Sequence, residues 1–211
     1  MSELSETSGV LLTFAELEFL LRDAPRWPLM RDQLNGTAPE SVQVLDAGVA
    51  SLLVRGLGKI LPDGSAAGEG WVVSLASGLV DSPCPVGVSM MFEHAVAPAV
   101  YCPCQDGRRV LVSIEGPGYA LFQPLEKNVS PVVQALGLVG QAADVAGSVV
   151  AVKAVGRAGV VFRRRGEVWE LGDNARDPEV DLDAFFQSST KDVVMGAVRS
   201  YLEANLSQVG V

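Results

Sequence analysis

The sequence predicts an α+β fold in which antiparallel strand meanders carry flanking helices. Three observations carry this. Pro85–Pro124 holds four short apolar runs separated by short turns. Stretches with apolar residues at helical spacing lie on both sides of it. The plan then returns: GRRVLVSIEGPGYALF and GRAGVVFRRRGEVWEL both read turn, strand, glycine turn, strand, and both precede a helix. Their first glycines, Gly107 and Gly156, stand 49 residues apart, a weak duplication of one meander-plus-helix unit. On this reading residues 1–145 hold the N-terminal helices and the first unit, residues 146–211 hold a second, smaller unit, and the two make one compact two-lobed domain.

Taken in order, Met1–Val10 is polar and predicts loose chain. Thr13 is placed to cap a helix, with Glu16 three residues on as its capping-box partner. Phe14, Leu17, Leu20 and Leu21 form the apolar stripe of that helix, and Pro25 and Pro28 end it. Arg26–Pro39 reads as a connector. Ser41 opens a second helix, in which Val42, Leu45, Val49, Leu52 and Leu53 share a face. Asp63–Gly70 (DGSAAGEG) reads as an exposed loop. Trp71–Val80 fits a third short helix; a strand is the alternative, and periodicity does not separate them.

Val86, Val88, Met90 and Phe92 alternate with Gly87, Ser89 and a less clear-cut Met91, the period of a half-buried strand. Pro98 breaks the run Ala95–Ala99, and Ala99–Cys104 is a second strand that Pro103 places at an edge or at a strand end. Asp106-Gly107 is a hairpin turn signal. Val110, Val112 and Ile114 form the inward face of a third strand, Gly116-Pro117-Gly118 turns the chain, and Tyr119–Gln123 is the fourth. Ser130-Pro131 starts a helix over Val132–Val139. Val149–Val155, Val160–Arg163 and Val168–Leu171 are the strands of the second unit, and Arg163-Arg164-Arg165 reads as the solvated tip of a hairpin. Asp173–Pro178 is a loop, and Ser189 caps a last helix with the stripe Val194, Val198, Tyr201 and Leu202.

Composition narrows the function. At 211 residues and mean hydropathy +0.28 the chain can bury one sizeable core or two small ones. It has no stretch approaching the ~20 apolar residues of a membrane span. MSELSETSGV carries no basic region of an export signal, so the cytoplasm is the expected location. A net charge of −9 argues against nucleic acid and anionic membranes as partners, since both reward a basic footprint. Three cysteines, an odd count, describe no disulfide framework.

Candidate chemistry is sparse. Cys84, His94, Cys102 and Cys104 have the composition of a Cys₃His zinc site. However, Cys102-Pro-Cys104 is a C-x-C pair, and three thiols behaving as small apolar residues are the simpler reading. No nucleophile elbow, phosphate loop or zinc-protease motif occurs. The acidic run Asp173, Asp177, Glu179, Asp181 and Asp183 lacks calcium-loop spacing. No cofactor is expected. Trp27, Met30, Phe185 and Phe186 fall in or beside loops, where core is the simpler fate and an exposed apolar patch for a protein partner the alternative.

The order of elements, with Leu12-Thr13, Glu16-Leu17 and Leu20 in the first helix and Arg55-Gly56-Leu57 after the second, resembles the EspG family, cytosolic chaperones of actinobacterial type VII (ESX) secretion. The resemblance implies an EspG-like two-lobed fold with a quasi-two-fold relation between its sheets. It also implies a binding protein and not an enzyme, with a client, a PE–PPE-type heterodimer held by its apolar helical tip until export. The long loop that the family carries in its first sheet is reduced here to Ala95–Pro98 or Gln105–Arg109, and the D-x-x-x-GR stretch before the last strand is missing. The expected protein-binding residues are the hairpin Gln105, Asp106, Gly107, Arg108 and Arg109, with Phe185, Phe186 and Val194. An acidic interaction module, such as an immunity protein that neutralises a basic toxin, is the alternative in another class; a zinc-binding protein or enzyme is the third.

Overall fold

A computed structural model describes residues 9–34, 42–92, 95–116, 118–145, 147–172 and 185–207. The architecture is α+β, but the two expected meanders are parts of a single sheet. Nine strands, all paired antiparallel, run in the order β1-β7-β6-β5-β4-β8-β9-β10-β11. These are β1 Val10–Thr13, β4 Val86–Phe92, β5 Ala95–Pro103, β6 Arg109–Gly116, β7 Tyr119–Pro124, β8 Val149–Ala154, β9 Val160–Arg165, β10 Val168–Gly172 and β11 Phe186–Ser189. The join is β4 with β8, in register from Val86↔Ala154 to Met91↔Val149. A separate two-stranded hairpin, β2 Gly58–Ile60 with β3 Ala66–Gly68, occupies much of the stretch expected to be a loop.

The helices are α1 Phe14–Leu21, α2 Trp27–Gln33, α3 Val42–Val54, α4 Gly70–Asp81, α5 Pro131–Ala143 and α6 Lys191–Leu206. They divide into two layers on opposite faces of the sheet. Alternation along β5 shows why: Val100 and Cys102 enter one core cluster, and Tyr101 between them enters the other. The first core packs α1, α2, α3 and α4 against β1, β7, β6 and β5, with Leu12, Val112 and Phe122 as its sheet side. The second packs α5 and α6 against β4, β8, β9 and β10, with Val88, Val152 and Phe162 beneath Val139, Val198 and Leu202. Although α5 follows the first meander, it buries its face over the second half of the sheet, beside α6.

Several elements differ from expectation for identifiable reasons. Val10, the end of the stretch expected to be loose, and Leu11-Leu12-Thr13, expected to lead into the first helix, instead form β1, with Val10 and Leu12 buried on the first core through pairing with β7. The connector after α1 holds α2, which tolerates Pro28 because it falls in the first turn; Trp27 and Met30 are core residues. β5 runs through Pro98 instead of breaking there. β6 pairs with β5 only from Ala99 onward, so at Pro98 the ladder has one side and a missing donor costs little. β5 is nonetheless an interior strand that ends, as expected, at Pro103. The cap of α6 is Thr190, whose side chain accepts from the Val193 N–H; Ser189, one residue earlier, closes β11. Ser130 precedes α5 without a side-chain capping bond.

Candidate functional site

The two motifs that carried the family resemblance meet in space. Thr13 caps α1 by accepting from the Glu16 N–H at 3.1 Å, and Glu16 Oε2 accepts from the Thr13 N–H at 2.7 Å. The Glu16 side chain is fully buried. Its remaining capacity is filled from α3 and the residue after it: Ser51 Oγ donates at 2.8 Å, and Arg55 Nη1 lies 2.8 Å from both carboxylate oxygens. Arg55 Nη2 reaches on to the Leu11 carbonyl at 2.6 Å, tying β1 to the same knot. A charge so placed is tolerated because every lone pair has a donor. The role of this cluster is to lock α1, α3 and β1 together.

The expected binding hairpin is the turn between β5 and β6. Gly107 takes φ +81°, which its missing Cβ permits, and donates to the Cys104 carbonyl. Asp106 Oδ1 accepts from the Arg108 N–H at 2.9 Å, which with the neighbouring guanidinium holds its carboxyl below the usual range. Arg108 Nε donates to Asp106, while its Nη1 bonds both oxygens of Ser74 on α4. Arg109 donates to the carbonyls of Glu126 and Val129 and to Gln134 Oε1. Both arginines are thus braced against neighbouring elements, and Gln105 and Asp106 are the exposed residues of the turn.

Phe185, Phe186 and Val194 do not join this hairpin. All three are buried, which corrects their assignment to a binding surface. Val194 faces the second core from α6. Phe186 packs edge-on to Phe185 and lies under the Arg163 guanidinium, 4.2 Å from its ring centre. Four strands separate β5 from β11, a span of roughly 24 Å at the usual inter-strand spacing. Arg163 itself is no solvated tip: it is buried and ion-paired with Glu170 at 2.5 Å.

The thiols are divided between the layers. Cys102 belongs to the first core, and the Cys104 thiol sits 3.8 Å from the Gly78 carbonyl of α4. Cys84 packs against the second core. Among the described residues no three His, Cys, Asp or Glu side chains converge as a metal site; His94 and the Asp173–Asp183 acids lie outside those residues. Burial pushes Cys84 and Cys102 up, and Cys104 up to about 11. It also raises Tyr101, whose hydroxyl donates to Gln134 Oε1, to about 12.

These shifts predict an alkaline stability profile. In the unfolded chain Cys104 and Tyr101 lose their protons near their ordinary values of 9.0 and 10.0, while the folded chain retains them to about 11 and 12. The unfolded state therefore binds fewer protons through this window, and stability falls as pH rises. Urea midpoints are expected to show this contribution intact below pH 9 and lost progressively between pH 9 and 12. Cys104→Ala should flatten the first part of the fall.

One surface that the sequence reading did not single out is an apolar strip at the end of the β4–β5 pair. Met91 and Val96, 43% and 52% exposed, share one face of it, and Phe92, 37% exposed, projects from the other. Met91 pairs directly with Val96, and on its other side with Val149 of β8. The signal was present as the run Met90-Met91-Phe92, where strict alternation calls for a polar residue at Met91. Compared with protein-family models and with curated proteins, the chain finds no match.

Proposed function

We propose that the chain is a protein-binding chaperone of the EspG type, which holds the apolar helical tip of a PE–PPE-like heterodimer in the cytoplasm before type VII export. The observation that carries this reading is the exposed pair Met91 and Val96. These two apolar side chains stand directly opposite one another on one face of the β4–β5 pair and offer a helix tip a contact that two paired strands hold in place, while Phe92 projects from the other face. The meeting of Thr13, Glu16 and Arg55 gives the family's two sequence signatures a common structural task, and this supports the resemblance. The EspG-like two-lobed arrangement belongs to the same reading, and helices over opposite faces of the two sheet halves support it.

The double variant Met91→Asp/Val96→Asp tests the strip. Both side chains are exposed, but the two new carboxylates stand directly opposite each other, so the melting temperature should fall by roughly 4–8 °C with the chain still folded. Capture of a co-expressed PE–PPE-like pair should drop at least about tenfold, the loss of one good apolar contact or more. Unchanged capture by the folded variant would remove the strip from the interface. The net charge of −9 favours the second reading, an acidic module for a basic partner. Its affinity would fall steeply with added salt, whereas apolar capture persists in 0.5 M salt.

A further inference from the structure

Among the described residues, two buried polar side-chain atoms have no hydrogen-bond partner: Trp27 Nε1 and Arg31 Nε. Both belong to α2 and stand four residues apart, on one face of the helix. The indole N–H is the only polar group of the Trp27 side chain, which is buried. Arg31 Nη1 donates to Glu18 Oε1 at 2.8 Å, while Nε is left without an acceptor. A buried donor that makes no bond loses the one water would give it, which weighs against the docked helix by about fivefold or more for each group. Little else ties α2 down. Among the described residues no backbone hydrogen bond joins it to another element; the Met30 N–H donates to the Arg26 carbonyl and the Leu34 N–H to those of Met30 and Arg31. A groove of about 430 Å³ runs along it, lined by Trp27 and Arg31 with Glu18 of α1 and Leu45 of α3, so one flank lacks close packing. What holds the helix is the Glu18–Arg31 pair and the apolar set Trp27, Met30 and Leu34, spaced i, i+3 and i+7.

We propose that α2 is a latch, which swings out as a unit while the sheet and the other helices stay folded. The pivot is Arg26, just before the helix, whose Nη1 bonds the carbonyls of Val80 and Ser82 at the end of α4. In the closed position Trp27, Met30 and Leu34 complete the first core. In the open one Trp27 Nε1 and Arg31 Nε gain water as a partner. Seven residues are too few to stay helical alone, so the released segment loses its helix along with its contacts. An element with few bonds to its neighbours opens at a lower cost than the whole chain unfolds. Opening also uncovers the side of α4 against which α2 packs, and thus gives the chain an apolar surface that the closed form hides. The latch is independent of the chaperone reading, because neither Met91 nor Val96 takes part in it.

The test is native-state hydrogen exchange on the intact ¹⁵N-labelled chain at several low urea concentrations. The reporters on the latch are the Met30 amide and the Trp27 indole N–H, the latter assigned by its loss in Trp27→Phe. The references are the amides of Val112 in β6 and Val198 in α6, buried in the first and second cores. Met30 and the Trp27 indole are expected to share one protection factor, at least about 100-fold below those of Val112 and Val198. Their protection should also depend on urea far more weakly, since a local opening exposes little surface. Equal protection at all four groups with a common urea slope overturns the proposal, because α2 would then open only with the whole chain. So does exchange of Met30 at the rate of an unprotected amide, which leaves no closed position. Loss of protection at Met30 with the Trp27 indole held at the level of Val198 overturns it as well, because the helix would then fray in place without leaving the core.

Discussion

Gly48→Ala is expected to destabilise the chain by about 3 kcal/mol or more, well beyond the cost of an ordinary surface substitution. α3 crosses α1 at Gly48, and the approach is so close that an added Cβ would stand 2.1 Å from the Ala15 carbonyl oxygen and 2.6 Å from its carbon. Both are backbone atoms, so no side-chain rotation relieves the overlap. The helices must separate, and the first core opens along Leu17 and Leu52. In an ordinary helix interior the same change would stabilise, since alanine is the better helix former by roughly 1 kcal/mol. The sign of the effect is therefore diagnostic. Urea unfolding followed by helical circular dichroism measures it, and a Gly48→Ala chain as stable as the parent would refute the close crossing.

Removing the guanidinium beside Glu16 should have a comparable effect. Arg55→Met leaves a fully buried carboxylate with only Ser51 Oγ and the Thr13 N–H as donors. Breaking a buried pair from one side costs about 3–5 kcal/mol. The Arg55 side chain is 36% exposed, so water can reach part of the gap and the low end, about 3 kcal/mol, is expected. Glu16→Gln combined with Arg55→Met should recover part of that loss, because no bare charge remains. A double-mutant cycle from the same urea curves gives the coupling. A coupling near zero would mean that Glu16 and Arg55 do not act as a pair.

These two changes bear on features of unequal legibility. The reciprocal bonds of Thr13 and Glu16 could be read from spacing, because a capping box is local chemistry within one helical turn. Asp106-Gly107 and the alternation of Val110 and Val112 were readable for the same reason: turn type and strand period are written in adjacent residues. Arg55 was visible as part of a family motif, but its partner was not, since 39 residues separate it from Glu16. Long-range pairing is also what turned two expected meanders into one sheet. Nothing local in Val86–Met91 says that Val149–Ala154 lies beside it. β1 is a strand only because β7 is there to pair with it, and Pro98 remains in a strand because the ladder is one-sided at that point.

The candidate site divides along the same line. The hairpin Gln105–Arg109 is where the sequence placed it, and its arginines are braced by Ser74, Val129 and Gln134, partners remote in sequence. Phe185 and Phe186 follow a loop-like stretch, and composition alone did not show that Arg163 and Gly172 would receive them into the fold. Conversely, Met91 stands exposed at a strand position where alternation calls for a polar residue, and Phe92, of the inward set, is partly exposed at the end of β4. Phe185 and Phe186 took the simpler of the two fates their position offered, burial in the core.

The claim that this chain captures a helical client through the β4–β5 strip is tested most directly by the mass of the purified complex. Co-expressed with a PE–PPE-like heterodimer and measured by size-exclusion chromatography with light scattering in 0.5 M salt, the 22.2 kDa chain is expected to elute with both client subunits at equal stoichiometry. The Met91→Asp/Val96→Asp chain, folded by its melting temperature, is expected to elute alone. Elution of the unaltered chain at its free mass beside an intact heterodimer would contradict the proposed function.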